Sequence, residues 1–167
     1  MPGYMPPSQT DEWSTPSWLF KRLNDEFNFD IDAAASGKNN KCPMYFSIGR
    51  MDALGPVPWS AAGWIAFLNP PHSLIAEFVQ RAYMDSHVFG MTVVCLLPVK
   101  ADTVWWHQYV MKASEVRFIR GRVKFIREDG KMGPATFASC IVVFKRCLTG
   151  ECVPTFKSVD YPERLSS

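Results

Sequence analysis

The sequence predicts an α/β fold, a doubly wound and mostly parallel sheet with helices on both faces. Two apolar runs, residues 64–68 and 91–98, are continuous rather than alternating, as strands covered on both faces are. Each is followed by a stretch with helical spacing, residues 73–82 and 102–111. A third run, 139–144, has the β-branched composition of a central strand. With 167 residues the chain has room for one core of ordinary size, so a single domain over 13–147 is expected. A loose arm over 1–12 precedes it and a polar, frayed tail over 148–167 follows.

Taken in order, residues 17–27 carry apolar side chains at helical spacing, with Pro16 near the first turn and Ser14 or Thr15 available to cap. Residues 27–32 alternate apolar and polar like a strand that stops at Asp32, and the small residues Ala33 and Ala34 allow close approach there. From 37 to 58 the chain reads as loop around a brief strand candidate at 44–48. The buried run 64–68 is halted by Asn69-Pro70-Pro71-His72, which cannot continue a ladder. Residues 116–119 and 123–126 read as two alternating strands of a hairpin around Arg120-Gly121-Arg122. Trp105 and Trp106 sit on a helix, where they pack into a core more readily than they stack on a ligand.

Composition narrows the function classes. Hydrophobic residues make up 47% and charged residues 20%, and no stretch of about 18 apolar residues exists to span a bilayer, so a soluble cytoplasmic protein without membrane attachment is expected. The five cysteines are odd in number and form no CxxC pair, which predicts free thiols. Cys147 and Cys152 with the three histidines match no common zinc spacing, and no metal site is predicted. A net charge of +2 is too small to imply a nucleic-acid partner, but Arg117, Arg120, Arg122, Lys124 and Arg127 cluster in one short stretch. On a hairpin such residues can either follow a phosphate backbone or form a solvated face.

Ligands of open α/β sheets collect beyond the carboxyl ends of strands, which directs attention to Asp30 and Asp32, to Asp52, and to Asn69 with its two prolines. An acidic turn is common and says little alone. Two adjacent prolines beside a buried strand forfeit two backbone donors, and a function is expected to offset that loss. A rigid diproline turn can aim the Asn69 carboxamide oxygen and a neighbouring backbone carbonyl at one point. That arrangement suits an exocyclic amine donating two hydrogen bonds. The bland alternative is an Asn-capped loop that happens to hold two prolines.

Asn69-Pro70-Pro71-His72 resembles the Asn/Asp-Pro-Pro-aromatic motif of DNA amino-methyltransferases. The order of further blocks, Asp11 to Pro16, Phe29 to Ala34, Asp52 to Leu54, Trp59, Phe67 to Pro71, Leu96 to Pro98, Asp102 to His107, Val116 to Arg122 and Val142 to Phe144, is similar to that of the phage-type Dam DNA adenine-N6 methyltransferase family. The resemblance implies a Rossmann-like methyltransferase fold, S-adenosyl-L-methionine as cofactor and DNA as partner. It implies that Trp13, Thr15 and Pro16 help hold the methionine end of the cofactor, that Asp32, Ala33 and Ala34 replace a glycine-rich loop, and that Asp52 and Leu54 meet the adenosine. Asn69, Pro70, Pro71 and His72 would hold the target base, in the role of catalytic residues. The expected protein is an orphan enzyme of phage or prophage origin with low sequence specificity, able to shield DNA from restriction. His72 departs from the family pattern, which places Tyr, Phe or Trp where the ring stacks on a flipped adenine. Two alternatives remain open at this stage: a catalytically silent DNA- or partner-binding module on the same fold, and methylation of cytosine N4 or of RNA.

Overall fold

The computed structural model describes residues 13–47, 52–127 and 129–161; the arm expected over 1–12 lies outside them. Nine strands and three helices follow in order: α1 (Ser17–Phe27), β1 (Ile31–Asp32), β2 (Met44–Tyr45), β3 (Ile65–Leu68), α2 (Ile75–Phe89), β4 (Thr92–Pro98), α3 (Val104–Gln108), β5 (Glu115–Ile119), β6 (Lys124–Ile126), β7 (Met132–Pro134), β8 (Ser139–Phe144) and β9 (Thr155–Val159). Seven strands form one sheet in the order β2-β1-β3-β4-β8-β5-β9. β2, β1, β3 and β4 run parallel, β8 is antiparallel to both β4 and β5, and β9 is parallel to β5.

Alternation along β4 and β8 divides the core. Val93, Cys95 and Leu97 with Cys140, Val142 and Phe144 face α2 and the two tryptophans of α3, which are buried as core residues. Val94 and Leu96 with Ile141 and Val143 face Leu19 and Leu23 of α1. Helices therefore cover both faces, as the continuous apolar runs require. Asp85 of α2, 3% exposed, accepts from the Trp59 amide at 2.9 Å and from Arg81 Nε at 3.0 Å. Arg81 also donates to the Gly55 and Val57 carbonyls, so the loop before Trp59 is fastened to the helix.

Several expectations are corrected. The strand read over 27–32 shrinks to Ile31–Asp32, because α1 runs through Phe27 and ends on Asn28 in the left-handed region at φ 54°. Asparagine tolerates that conformation, and its amide closes the helix on the Asn24 carbonyl. Pro16 occupies the N-cap of α1 with no side-chain cap, and Thr103 is the N-cap of α3. In the expected tail, 155–159 is a strand at the edge of the main sheet. Cys147 and Cys152 are joined in a disulfide, their Cα atoms 5.6 Å apart across a turn, while Cys42, Cys95 and Cys140 are free and buried. No helix among the described residues is long and apolar enough to cross a membrane.

The basic stretch does not form one hairpin. β5 lies inside the main sheet, whereas β6 pairs with β7 in a separate two-stranded ribbon, in the register Lys124↔Pro134 and Ile126↔Met132. Arg117 is therefore not on a nucleic-acid face. It is 6% exposed and donates to both carboxylate oxygens of Glu26 at 2.7 and 2.6 Å, to Glu115 at 3.0 Å and to Tyr161 at 3.3 Å. Its charge-assisted bonds draw the Glu26 carboxyl below the usual range. Arg117→Met is expected to lower stability by about 2–3 kcal/mol, because two carboxylates lose a buried partner. Denaturant unfolding measures that loss, and the salt dependence of DNA binding should stay as in the parent protein; a flatter salt dependence would return Arg117 to the DNA face.

Candidate active site

The parallel ladder brings the carboxyl ends of β1, β3 and β4 together, with Asp32 opposite Phe67 and Leu68 opposite Cys95. A cleft of about 240 Å³ opens there, and its wall includes Trp13, Thr15, Asp32, Ala34, Asn69, Pro70, Pro71 and His72. Residues proposed from blocks scattered over 60 positions of sequence thus meet in one place. Ala33 lies wholly buried one step inside, its amide bonded to the Phe67 carbonyl at 2.8 Å. Pro16, Asp52 and Leu54 are not part of the wall. Asp52 is exposed and accepts from the Leu54 amide at 3.0 Å, closing its own turn, and Ala53 between them is the residue that reaches the cleft. The Trp59 indole donating to the Ala53 carbonyl at 2.9 Å sets that orientation.

Asn69 follows β3 directly, and the two prolines turn the chain away before the helical turn that opens with the exposed His72. Its side-chain nitrogen donates to the Trp13 carbonyl at 2.8 Å and to Thr15 Oγ1 at 3.1 Å. A carbonyl accepts and cannot donate, so the amide nitrogen must be the end that faces Trp13. With both amide hydrogens committed, Oδ1 is left as the acceptor that Asn69 offers a ligand. Thr15, 2% exposed, uses its hydroxyl on Asn69 and does not cap α1.

Asp32 is 3% exposed, with Oδ1 accepting from the Ala34 amide at 3.3 Å and Oδ2 from the Lys41 amide at 3.0 Å. Burial pushes its carboxyl up to about 6, against the lowering effect of those two amides and of the Lys41 charge. Burial also lowers the Lys41 ammonium, with Asp32 opposing. Asp30 faces elsewhere, accepting from the Trp64 and Ile65 amides at 2.8 and 3.0 Å at the start of β3. A buried carboxylate without a full counter-charge, beside small residues and backbone donors, fits a cationic sulfonium cofactor with an amino-acid end.

The far wall was not foreseen. Lys41, Phe78, Phe125, Thr136, Phe137 and Ser139 also line the cleft. Lys41 lies in a turn after Asp32 that has no pattern of its own. Phe125 and Phe137 belong to or follow the β6–β7 ribbon, whose position depends on long-range packing. Phe137, 40% exposed, carries Lys100 Nζ 4.5 Å above its ring. Of the cations expected to meet DNA, Arg120, Arg122, Lys124 and Arg127 are exposed on or beside this ribbon. Arg122 donates to the Thr136 carbonyl at 3.2 Å, and Arg127 lies 5.1 Å from the Trp13 ring centroid.

A doubly wound sheet with an acidic strand end and an Asn-Pro-Pro turn on one cleft is the arrangement of an amino-methyltransferase. The family model for DNA N-6-adenine-methyltransferase (Dam) matches residues 4–164, and the chain belongs to that family. It is 33% identical over 125 residues to the DNA N-6-adenine-methyltransferase of Haemophilus phage HP1, an alignment covering 73% of this chain and 70% of the relative. It is 29% identical over 115 residues to that of Escherichia phage T1, covering 68% of this chain and 47% of the relative, so it spans about half of that longer protein. Among solved structures, a protein described as a predicted O-methyltransferase from Agrobacterium tumefaciens overlaps 74% of this chain and 56% of its own, with 12% identity and a TM-score of 0.42, too distant to bear on function.

The Asp32 carboxyl sets a pH dependence. Its folded pKa of about 6 lies above the ordinary 3.8, so its contribution favours the folded protein below about pH 4 and is lost as pH rises through 6. A bound cation has the opposite preference, stabilising the ionised form. Affinity for S-adenosyl-L-methionine, measured by calorimetry, should therefore rise by up to about tenfold in all between pH 5 and pH 7, most steeply below pH 6, and then level off. Asp32→Asn should bind more weakly at pH 7 and lose the slope; a slope that survives the substitution would remove Asp32 from the cofactor site.

Proposed function

We propose that this protein is an S-adenosyl-L-methionine-dependent enzyme that methylates the N6 amine of adenine in DNA, of phage or prophage origin and with low sequence specificity. The observation that carries the reading is the orientation of Asn69, whose nitrogen is turned inward so that its oxygen is available to an amine, in the same cleft as a buried carboxylate suited to a cation. Membership of the Dam family and the names of its phage relatives support adenine N6 as the amine.

The cofactor would supply a methyl group on a sulfonium, already a good leaving group. The protein's part is therefore placement more than proton chemistry. Asn69 Oδ1 and a backbone carbonyl of the Pro70-Pro71 turn accept the two N6 hydrogens, which fixes the amine and directs its lone pair toward the methyl carbon. A nitrogen so placed would take up the methyl group, and its surplus proton would leave to solvent. Asp32 would hold the cofactor's cationic groups, and Phe67, Phe78 and Leu97 give the cleft an apolar wall beside them. His72 offers an imidazole at the rim, smaller than the six-membered ring of the family, against which an extruded adenine can stack. Lys124 on β6 and Arg120, Arg122 and Arg127 in the adjoining loops are exposed, and their charge suits a phosphate backbone. Base reading by a few loops of this domain would give a short recognised site or none.

The test is transfer of labelled methyl from S-adenosyl-L-methionine to unmethylated DNA. Asn69→Ala should lower kcat at least about 100-fold with little change in cofactor affinity, since the carboxamide holds the target amine. Undiminished turnover would overturn the catalytic assignment. His72→Tyr should raise turnover several-fold and His72→Ala should lower it, because stacking on a base is worth about 1–3 kcal/mol and a larger ring recovers more of it. A fully active parent protein whose rate neither substitution alters would place His72 away from the substrate, and a parent that transfers nothing at any pH would favour a silent module.

A further inference from the structure

The short segment from Trp13 to Thr15 touches two parts of the protein that the proposed reaction must bring into register. On one side it accepts both hydrogens of the Asn69 carboxamide, at the Trp13 carbonyl (2.8 Å) and at Thr15 Oγ1 (3.1 Å). On the other it is tied to the basic ribbon by a single antiparallel bridge. Ser14 pairs antiparallel with Ile126 of β6 through two backbone hydrogen bonds, 2.9 Å from the Ser14 amide and 3.0 Å to its carbonyl. The Trp13 ring meets Phe125 edge-on with centroids 6.3 Å apart, and the Arg127 guanidinium lies 5.1 Å from its centroid. Neighbouring residues of one extended segment are thus fixed alternately to the ribbon and to the amine-binding side chain.

From these contacts we infer that residues 13–15 are a positioning strap, which holds the rotation of the Asn69 carboxamide and makes that rotation depend on how the β6–β7 ribbon sits. This rests on the reading of Asn69 as the amine acceptor. Without the strap the carboxamide can rotate about its terminal bond and present nitrogen to the substrate, a donor facing a donor. With it, the acceptor is fixed before substrate arrives, which is where orientation contributes to rate. The segment also gives the ribbon a consequence beyond charge. When Arg127 and its neighbours engage a phosphate backbone, the load passes through Trp13 and Ser14 to the backbone carbonyl that Asn69 uses. The role differs from the cofactor contact that resemblance implies for Thr15, since the Thr15 hydroxyl is turned to Asn69 and is almost wholly buried.

The two roles separate in kinetics. Thr15→Val keeps the shape of the side chain and removes the acceptor. It should lower kcat by about tenfold at saturating DNA and cofactor, leave the dissociation constant of S-adenosyl-L-methionine within twofold, and leave the thermal midpoint close to the parent. Thr15→Ser, which restores the hydroxyl, should recover most of kcat. Arg127→Gln tests the link to the ribbon: a phosphate contact alone raises KM for DNA, whereas a strap also lowers kcat when DNA saturates. An unchanged kcat in Thr15→Val overturns the proposal, as does a loss of kcat that tracks weakened cofactor binding. A change in KM alone for Arg127→Gln overturns the coupling to the ribbon. Transfer by the parent protein to adenine N6 alongside either result leaves the proposed function standing and removes only the strap; absence of any transfer by the parent removes both.

Discussion

The parallel pairing of β1, β3 and β4 is the constraint from which the site follows. Parallel strands end on one side of a sheet, and none of these three can be extended there. β3 stops because Pro70 and Pro71 have no amide to donate, β4 ends on Pro98, and β1 turns into the small residues Ala33 and Ala34. Asp32 and Asn69 therefore arrive at adjacent strand ends with their side chains over the same opening. The rest of the molecule maintains that alignment. α1 covers one face through Leu19 and Leu23, α2 covers the other through Phe78, Val79 and Ala82, and the Arg81–Asp85 pair ties the loop carrying Ala53 to the second helix.

Polar groups at the opening are arranged with opposite consequences. Asp32 is held by two backbone amides yet remains costly to ionise, so the cleft favours a cation there. Asn69 is neutral and fully engaged on its nitrogen, so it favours a donor at its oxygen. One side of the cleft thus suits a cation and the other an uncharged amine. An amine that is already protonated would meet no counter-charge at Asn69, consistent with an aromatic exocyclic amine as the acceptor of the methyl group.

How much of this the sequence discloses depends on range. The buried strands read at 64–68 and 91–98 and the break at Asn69 are visible because continuous apolar runs and adjacent prolines act locally. The division of β4 and β8 into two faces follows from strand periodicity alone. Arg117 was misplaced because alternation cannot say which face of a strand is covered; its partner Glu26 is 91 residues away in sequence. The two basic strands were joined into one hairpin for the same reason, since pairing of β5 with β8 and β9 and of β6 with β7 is set by contacts across the sheet. β9, exposed along most of its length, has too little apolar pattern to be read from the chain. At the site, Asn69 to His72 stand out locally and line the cleft, whereas Lys41, Thr136 and Phe137 reach it from loops without periodicity. The link from Thr15 to Asn69 spans 54 residues and has no counterpart in local spacing.

The account turns on the N6 amine of adenine in DNA being the acceptor that Asn69 holds. Digestion of DNA methylated by the purified protein, followed by mass spectrometry of the nucleosides, identifies that acceptor directly. The account predicts N6-methyldeoxyadenosine as the product, formed by the parent protein and absent with Asn69→Ala. Methyl groups found only on cytosine N4, or transferred to RNA and not to DNA, would contradict it.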